Sequence, residues 1–405
     1  MTLENGPLSG LLVLDLGHVV AGPLAGTLLG DLGADVVKIE DPKTGGDTLR
    51  RLSPSHNDAP VWWKVSGRNK RSVAIDLRTD DGRDLVLGLA EKADVLIENF
   101  RPGTLERFGL GPDVLEQRNP RLVLLRISGF GHGPLGRDRP GFGRVGEAMS
   151  GAANLTGDPD GSPMHVGFSL GDATSGLMGA FGVMAALRAR DETGKGDIVD
   201  IALFETLFRL IEWQLPFADL LGQVITRRGN RFPTGYAVAG SYRSRDERWV
   251  TISAATDRGV TRLLREVGGD ELAGDPRFAD VEARALDDRL EEIDRAVAAW
   301  IAHSDAADVI GALEGTDVAV GEVYDAGMML DDPTFAEREA IVAVDDEQAG
   351  GPIRMPGVIP RLAAQPGKVR WAGPPLGAHT DEVLTQLLGL DEDALAELRR
   401  SGTIA

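Results

Sequence analysis

Asp172 stands in the run Ser169-Leu170-Gly171-Asp172, directly ahead of an almost wholly apolar segment that begins at Ala173. A carboxylate in that place has two uses. It can cap the helix, accepting from an orphan backbone N–H for a gain of about 1 kcal/mol. Or it can be a nucleophile aimed into a cleft: with an ordinary pKa near ~3.9 it is ionised at neutral pH and needs no general base to attack an acyl carbon. A helix N-terminus favours the ionised form in either case, so the local pattern leaves both roles open.

Other chemistries find little support. The chain has no cysteine, which removes disulfides, thiolate metal sites and cysteine nucleophiles together and makes a reducing cytoplasm the expected setting. The histidines, at 18, 56, 132, 165, 303 and 379, form no H-x-H or H-E-x-x-H pattern, so no metal is expected. There is no G-x-S-x-G elbow. Gly17, Gly22, Gly26 and Gly30 follow the first strand at intervals of four or five, which is not the dinucleotide fingerprint, although Glu40 stands where a ribose-binding acid would. The turn that holds them is expected to line a cleft at the carboxyl end of a sheet. His18, in that turn, could contact a ligand or sit as a satisfied polar residue at a strand end. With 63 acidic against 43 basic side chains and a formal charge of −20, a nucleic-acid partner and an anionic membrane surface are both disfavoured. The N-terminus has no cationic start and no apolar core of signal length, so secretion is not expected. The stretches 19–29 and 177–187 fall short of the roughly 18–20 apolar residues that a membrane span needs.

The elements that must position Asp172 read as α/β. Short apolar runs at 11–16, 36–40, 72–76, 94–98 and 122–126 alternate with helical patterns at 23–32, 82–92 and 113–117, the rhythm of a parallel sheet with covering helices. Pro23 suits the first turn of its helix, where its missing N–H leaves nothing unpaired. The segment from 172 to about 190 is apolar on every face and is expected to be buried. Gly176, Gly179 and Gly182 within it suggest that another backbone packs closely there. A strand at 197–203 and a helix at 205–221 follow. A loop at 227–235 opens a smaller mixed domain, with a strand at 249–253 and helices at 289–301 and 306–313, which ends near Asp331-Asp332-Pro333. Two amphipathic helices, 380–388 and 392–400, close the chain.

Five blocks together carry a resemblance over essentially the whole length. They are Leu14-Asp15-Leu16 through Ala21-Gly22-Pro23 with Leu32 to Glu40; Asn69-Lys70-Arg71-Ser72; Glu98-Asn99-Phe100-Arg101-Pro102-Gly103; Ser169-Leu170-Gly171-Asp172; and Gly377-Ala378-His379-Thr380-Asp381-Glu382-Val383-Leu384. The chain resembles the family III CoA-transferases, the CaiB/BaiF family. The resemblance implies an α/β fold with a Rossmann-like large domain, a smaller α+β domain and an interlocked homodimer. On that reading residues 1–221 begin the large CoA-binding domain, 222–332 form the small one, and 333–405 return to the large one. The implied activity is CoA transfer between an acyl-CoA and a carboxylic acid, in the cytoplasm, with coenzyme A as substrate and no tightly bound cofactor. Asp172 would be the nucleophile, passing through a mixed anhydride and an aspartyl-CoA thioester.

By the same resemblance CoA contacts fall at Val20, Ala21, Ile75, Arg78, Asn99, Phe100, Arg101, Arg107, Arg139 and Phe142. Arg78, Arg107 and Arg139 suit phosphate, because a guanidinium matches it in fork geometry, or are exposed surface arginines. Some positions depart from the family's branches. The oxalate/formate branch has glutamine where this chain has Val20, tyrosine where it has Phe142, and a glycine-run loop in the small domain with no counterpart here, so transfer to oxalate is not expected. The alternative reading is an acyl-CoA racemase acting at the α-carbon. That branch places a proton-carrying histidine where this chain has Phe142, which leaves it one carrier short.

Overall fold

The computed structural model describes residues 6–134, 136, 139–231 and 237–405. The end of the expected loop, 232–235, and residues 1–5 lie outside the described residues. The chain divides into two units, the first made of Met1–Gly151, Val166–Ile211 and Pro333–Ala405 and the second of Ala152–His165 and Glu212–Asp332.

In the first unit six strands form one parallel sheet: β1 (Leu12–Asp15), β2 (Asp35–Glu40), β3 (Lys70–Ala74), β4 (Val95–Glu98), β5 (Val123–Ser128) and β6 (Ile198–Ala202). Their order is β3-β2-β1-β4-β5-β6, and every pair is parallel. Side chains alternate across the pleat. Leu12, Leu14, Val37, Ile39, Val73 and Leu96 therefore share one face with Leu85, Val86 and Leu89 of α2 (Asp80–Ala90). Val13, Val36, Val95, Ile97, Val123 and Leu125 take the other, under Ala25 and Leu29 of α1 (Ala21–Asp31) and further apolar residues around 183. Both faces are covered, which is why the strands read as unbroken apolar runs. Each fully buried Leu or Val among them contributes about 1.5–3 kcal/mol.

Helices α3 (Pro112–Arg118), α4 (Gly143–Met149), α5 (Leu170–Thr193) and α6 (Leu203–Leu210) also belong to the first two segments of this unit. Ala180, Val183 and Leu187 of α5 lie in the core cluster that includes α1 and β5. By length and composition alone α5 could cross a membrane, a property missed by counting only the run 177–187. Its glycines do allow close approach: a Cβ on Gly176 would stand 2.7 Å from the Ala21 carbonyl oxygen. The single helix expected over 205–221 is two, α6 and α7 (Gln214–Leu221). Pro216 is the reason, since it cannot donate within a helix interior but is tolerated in a first turn, where α7 places it.

The second unit holds the antiparallel sheet β7 (Val238–Arg243), β8 (Trp249–Ala254) and β9 (Ala319–Glu322), with β8 central. Helices α8 (Asp257–Ala273), α9 (Asp287–Ala302) and α10 (Ala306–Leu313) cover it, around Val250, Ile252, Leu263, Val297, Ile301 and Val309. Helix α8 is interrupted at Gly268 and Gly269, whose backbones are not helical. From Pro333 the chain is again in the first unit. It forms the hairpin β10 (Ile341–Asp346) and β11 (Gly351–Pro356), then α11 (Thr380–Leu388) and α12 (Glu392–Arg400). Val383, Leu384 and Leu395 join the core under α2.

Candidate active site

Between β1 and β4 the strand order reverses, so successive connections leave to opposite faces and open a crevice at the carboxyl ends. A cavity of about 400 Å³ lies there, lined among others by His18, Glu40, Ile75, Asp76, Arg78 and Phe100, within the range of small-molecule sites. Its walls come from the segments that end β1, β2, β3 and β4. The His18 ring is 5.6 Å from that of Phe100, which in turn meets Phe108 edge-on at 6.0 Å. Burial lowers the pKa of His18, as does the Lys38 charge, and the nearby Asp47, Asp15 and Glu40 only partly oppose them. The second unit carries a larger open depression of about 650 Å³ beside Arg277, Glu292, Trp300 and His303, and none of the expected CoA contacts lines it.

Asp172 does not precede its helix. Helix α5 begins at Leu170 with Ser169 at the cap position, and no side-chain cap bond forms. Asp172 is the third residue of the first turn, so its expected role as N-cap does not hold. Among the described residues none donates a hydrogen bond to its carboxylate. Its neighbours are instead an open backbone and a second acid. A Cβ on Gly143 would stand 2.6 Å from Asp172 Oδ2, so only glycine leaves the carboxylate its place. Glu147, one turn further along α4 and 2% exposed, reaches the start of α5, with the Gly171 N–H 3.4 Å from its Oε1. Burial, and then the Glu147 charge, push the Asp172 carboxyl up to about 6. Residues 172 and 176 lie one turn apart on one face of α5, and Gly176 packs on the carbonyl of Ala21. The carboxylate therefore projects from the helix face that meets the start of α1.

The other expected contacts fall into groups. Ile75, Arg78 and Phe100 line the cavity. Val20 immediately precedes α1, and Ala21, its first residue, is buried against α5. Asn99 turns its side-chain amide to the His18 backbone, at 2.7 and 2.9 Å. Arg78 already holds two carboxylates, Asp76 at 2.7 Å and Asp41 at 2.9 Å. Phe142 is 73% exposed and adjoins Gly143. Arg101 is exposed, and Arg107 bonds Thr104 Oγ1 at 2.8 Å. Arg139 is stacked on the Phe130 ring at 4.0 Å. Arg101, Arg107 and Arg139 do not line the cavity. Glu147 and Gly143 escaped the sequence reading because α4, with two glycines and charged residues at 144 and 147, has no apolar periodicity to announce it. Among the described residues no cluster of three or more His, Asp or Glu side chains is placed to hold a metal.

Comparison with known proteins bears on what such a site does. Residues 8–380 match the family described as CoA-transferase family III. The chain is 42% identical over 398 residues to a succinyl-CoA–D-citramalate CoA-transferase of Chloroflexus aurantiacus, covering 98% of each chain. It is 35% identical over 397 residues to a succinyl-CoA:mesaconate CoA-transferase of Haloarcula hispanica, covering 94% of this chain and 96% of that one. The crystal structure of a CaiB/BaiF family protein from Brucella suis superposes with a TM-score of 0.82 at 30% identity, covering 95% of this chain and all of the other.

Proposed function

This chain belongs to CoA-transferase family III, and we propose that it moves CoA between two carboxylic acids with Asp172 as the nucleophile. The reading is carried by one observation: a partly buried carboxylate that no described group hydrogen-bonds, kept open by Gly143 and raised to about 6 by burial and Glu147. At neutral pH such a group is mostly ionised, yet more basic than a free carboxylate and so a better nucleophile.

The Asp172 oxygen attacks the donor thioester carbonyl, and collapse of the tetrahedral oxyanion expels CoA thiolate to leave a mixed anhydride. The thiolate then attacks the aspartyl carbonyl, which releases the donor acid and leaves an aspartyl-CoA thioester. The acceptor carboxylate attacks that thioester, forming a second anhydride and freeing the thiolate, which takes the acceptor acyl group and restores the Asp172 carboxylate. No proton is gained or lost over the cycle. The oxyanions need donors, and backbone N–H groups at the starts of α4 and α5 would supply them. The cavity at the β1–β4 crossover would take the nucleotide end of CoA through Ile75, Arg78 and Phe100. Val20, Ala21 and Phe142 would line the path to Asp172, while Asn99, Arg101, Arg107 and Arg139 would act from its margins.

The related enzymes named for succinyl-CoA, citramalate and mesaconate make dicarboxylic acids the proposed substrates. Arg144, exposed and next to Gly143, has no partner among the described residues and would hold the distal carboxylate. We also propose the interlocked homodimer, because Leu177 and Phe181 of α5 are 58% and 69% exposed and would be covered by a second copy. A screen of acyl-CoA donors against carboxylic acids, read by mass spectrometry, tests the activity, with dicarboxylic pairs expected to exchange CoA. Proton NMR in D₂O separates the racemase, which would exchange the α-proton without a second acid. A chain that exchanges that proton and transfers no CoA would refute the proposal.

A further inference from the structure

The turn that joins β1 to α1 is held by side chains from three distant parts of the chain. The Asn99 amide oxygen accepts from the His18 N–H at 2.7 Å, and its nitrogen donates to the His18 carbonyl at 2.9 Å. Lys38 Nζ donates to the Gly17 carbonyl. Both oxygens of Asp47 accept from the Val19 N–H, at 3.1 and 3.3 Å. Val19 is the reason such a clamp is needed. Its φ is 65°, a left-handed backbone in which a β-branched side chain is crowded. A residue stays there only where its surroundings over-determine it, and such strain gathers at functional sites.

Asp47 is well placed to impose it. It is fully buried, as are Lys38 and Asp15. Lys38 Nζ lies 3.5 Å from Asp47 and 3.6 Å from Asp15, and Lys70 pairs with Asp15 at 2.8 Å, so two cations balance two acids. Asp47 is also anchored on its own account. Its Oδ1 accepts from the Leu49 N–H at 2.9 Å, and its N–H donates to Glu40 at 2.9 Å. Glu40 is in turn paired with Arg50 at 2.7 Å. The acid cannot follow the turn if Val19 relaxes. What the turn presents is His18, on the cavity wall, and Val20 and Ala21, at the start of α1 beneath α5.

We infer that Asp47 is a positioning residue, which with Lys38 and Asn99 holds Val19 in its left-handed conformation and so sets the turn that acyl-CoA must cross. The inference rests on the proposed reading that this turn contacts CoA. Neither Asp47 nor Lys38 touches the substrate in it; both act through backbone.

Wild type, Asp47→Asn, Val19→Gly and the double variant form the test, measured by thermal melting and by acyl-CoA KM and kcat. Glycine accepts φ 65° without crowding, so Val19→Gly should melt above wild type. Asp47→Asn should raise the acyl-CoA KM about tenfold with kcat within about twofold, the pattern of lost binding rather than lost chemistry. Adding Val19→Gly should bring that KM back to within about threefold of wild type, because the turn then no longer needs forcing. If Val19→Gly melts no higher, if folded Asp47→Asn has a normal acyl-CoA KM, or if the double variant stays as impaired as Asp47→Asn, the inference is overturned. Should Asp47→Asn not fold, Asp47→Ser takes its place in the same cycle under the same criteria. The melting comparison needs no substrate. A wild type that transfers no CoA would therefore sink the functional reading, while melting still decides whether the turn is strained.

Discussion

Replacing Asp172 by asparagine should abolish transfer and at the same time stabilise the protein at neutral pH. Its carboxyl sits at about 6 in the fold against an ordinary value of 3.8. The fold thus favours the protonated form. Between about pH 4 and pH 6 the native state keeps a proton that the unfolded chain has already released, so the stability contributed by this residue falls as pH rises through that window. Above it the full cost of the ionised group is present. A displacement of about two pH units corresponds to roughly 3 kcal/mol, and since the residue is partly exposed, solvent screening brings this to about 1–3 kcal/mol. Asparagine has nearly the same shape and no charge. Asp172→Asn should therefore melt about 1–4 °C above wild type near pH 7.5, and the gain should shrink to about a third near pH 4.5 and vanish only below about pH 3.5, where Asp172 is protonated in both states. Differential scanning fluorimetry across that range, with wild type run in parallel, reads the difference directly. A variant that is no more stable near pH 7.5, or whose gain is as large at pH 4.5 as at pH 7.5, would refute the argument, because a carboxylate that caps its helix would lose stability at neutral pH.

Other consequences can be checked by kinetics. Activity should fall as pH drops through about 6, where Asp172 takes up a proton. Glu147→Gln, which keeps an oxygen for the Gly171 N–H but removes the like charge, should move that acid limb to lower pH in a kcat–pH profile. Gly143→Ala would put a methyl 2.6 Å from Asp172 Oδ2, and displacement of the nucleophile should lower kcat by on the order of 10–100-fold with little change in acyl-CoA KM. An unchanged kcat would mean that the carboxylate is not held there during turnover. Arg144→Ala should raise KM for dicarboxylic acceptors about tenfold or more, and leave monocarboxylic acids unaffected. Equal effects on both classes would remove Arg144 from the acceptor site.

How much of this was legible in the sequence depends on where each element's stabilisation comes from. Strands β1 to β5 could be placed within one to three residues because they are buried on both faces and so appear as plain apolar runs between polar punctuation, whereas β7, β9, β10 and β11 carry no such run and were not read. Helices α10, α11 and α12 were equally plain, since each has one apolar stripe and a clear stop. Where periodicity is weak the reading failed. Helix α4 has none. Helix α8 is broken by the pair Gly268 and Gly269, and the proline that divides α6 from α7 was passed over. Asp172 stood out in the sequence, but local pattern could not choose between cap and nucleophile, because its surroundings depend on Gly143 and Glu147, more than twenty residues away. The clamp on Val19 was invisible for the same reason. Asp47 and Asn99 reach it from 28 and 81 positions along the chain, and only the left-handed backbone of a valine gives their purpose away.

The central claim is that residue 172 itself carries CoA during turnover. Incubation with succinyl-CoA alone, rapid acid quench, proteolysis and mass spectrometry should find the peptide containing Asp172 heavier by CoA less water, and the adduct should be absent from Asp172→Asn. A wild-type enzyme that transfers CoA between acids, yet never shows that mass on this peptide, would contradict the account.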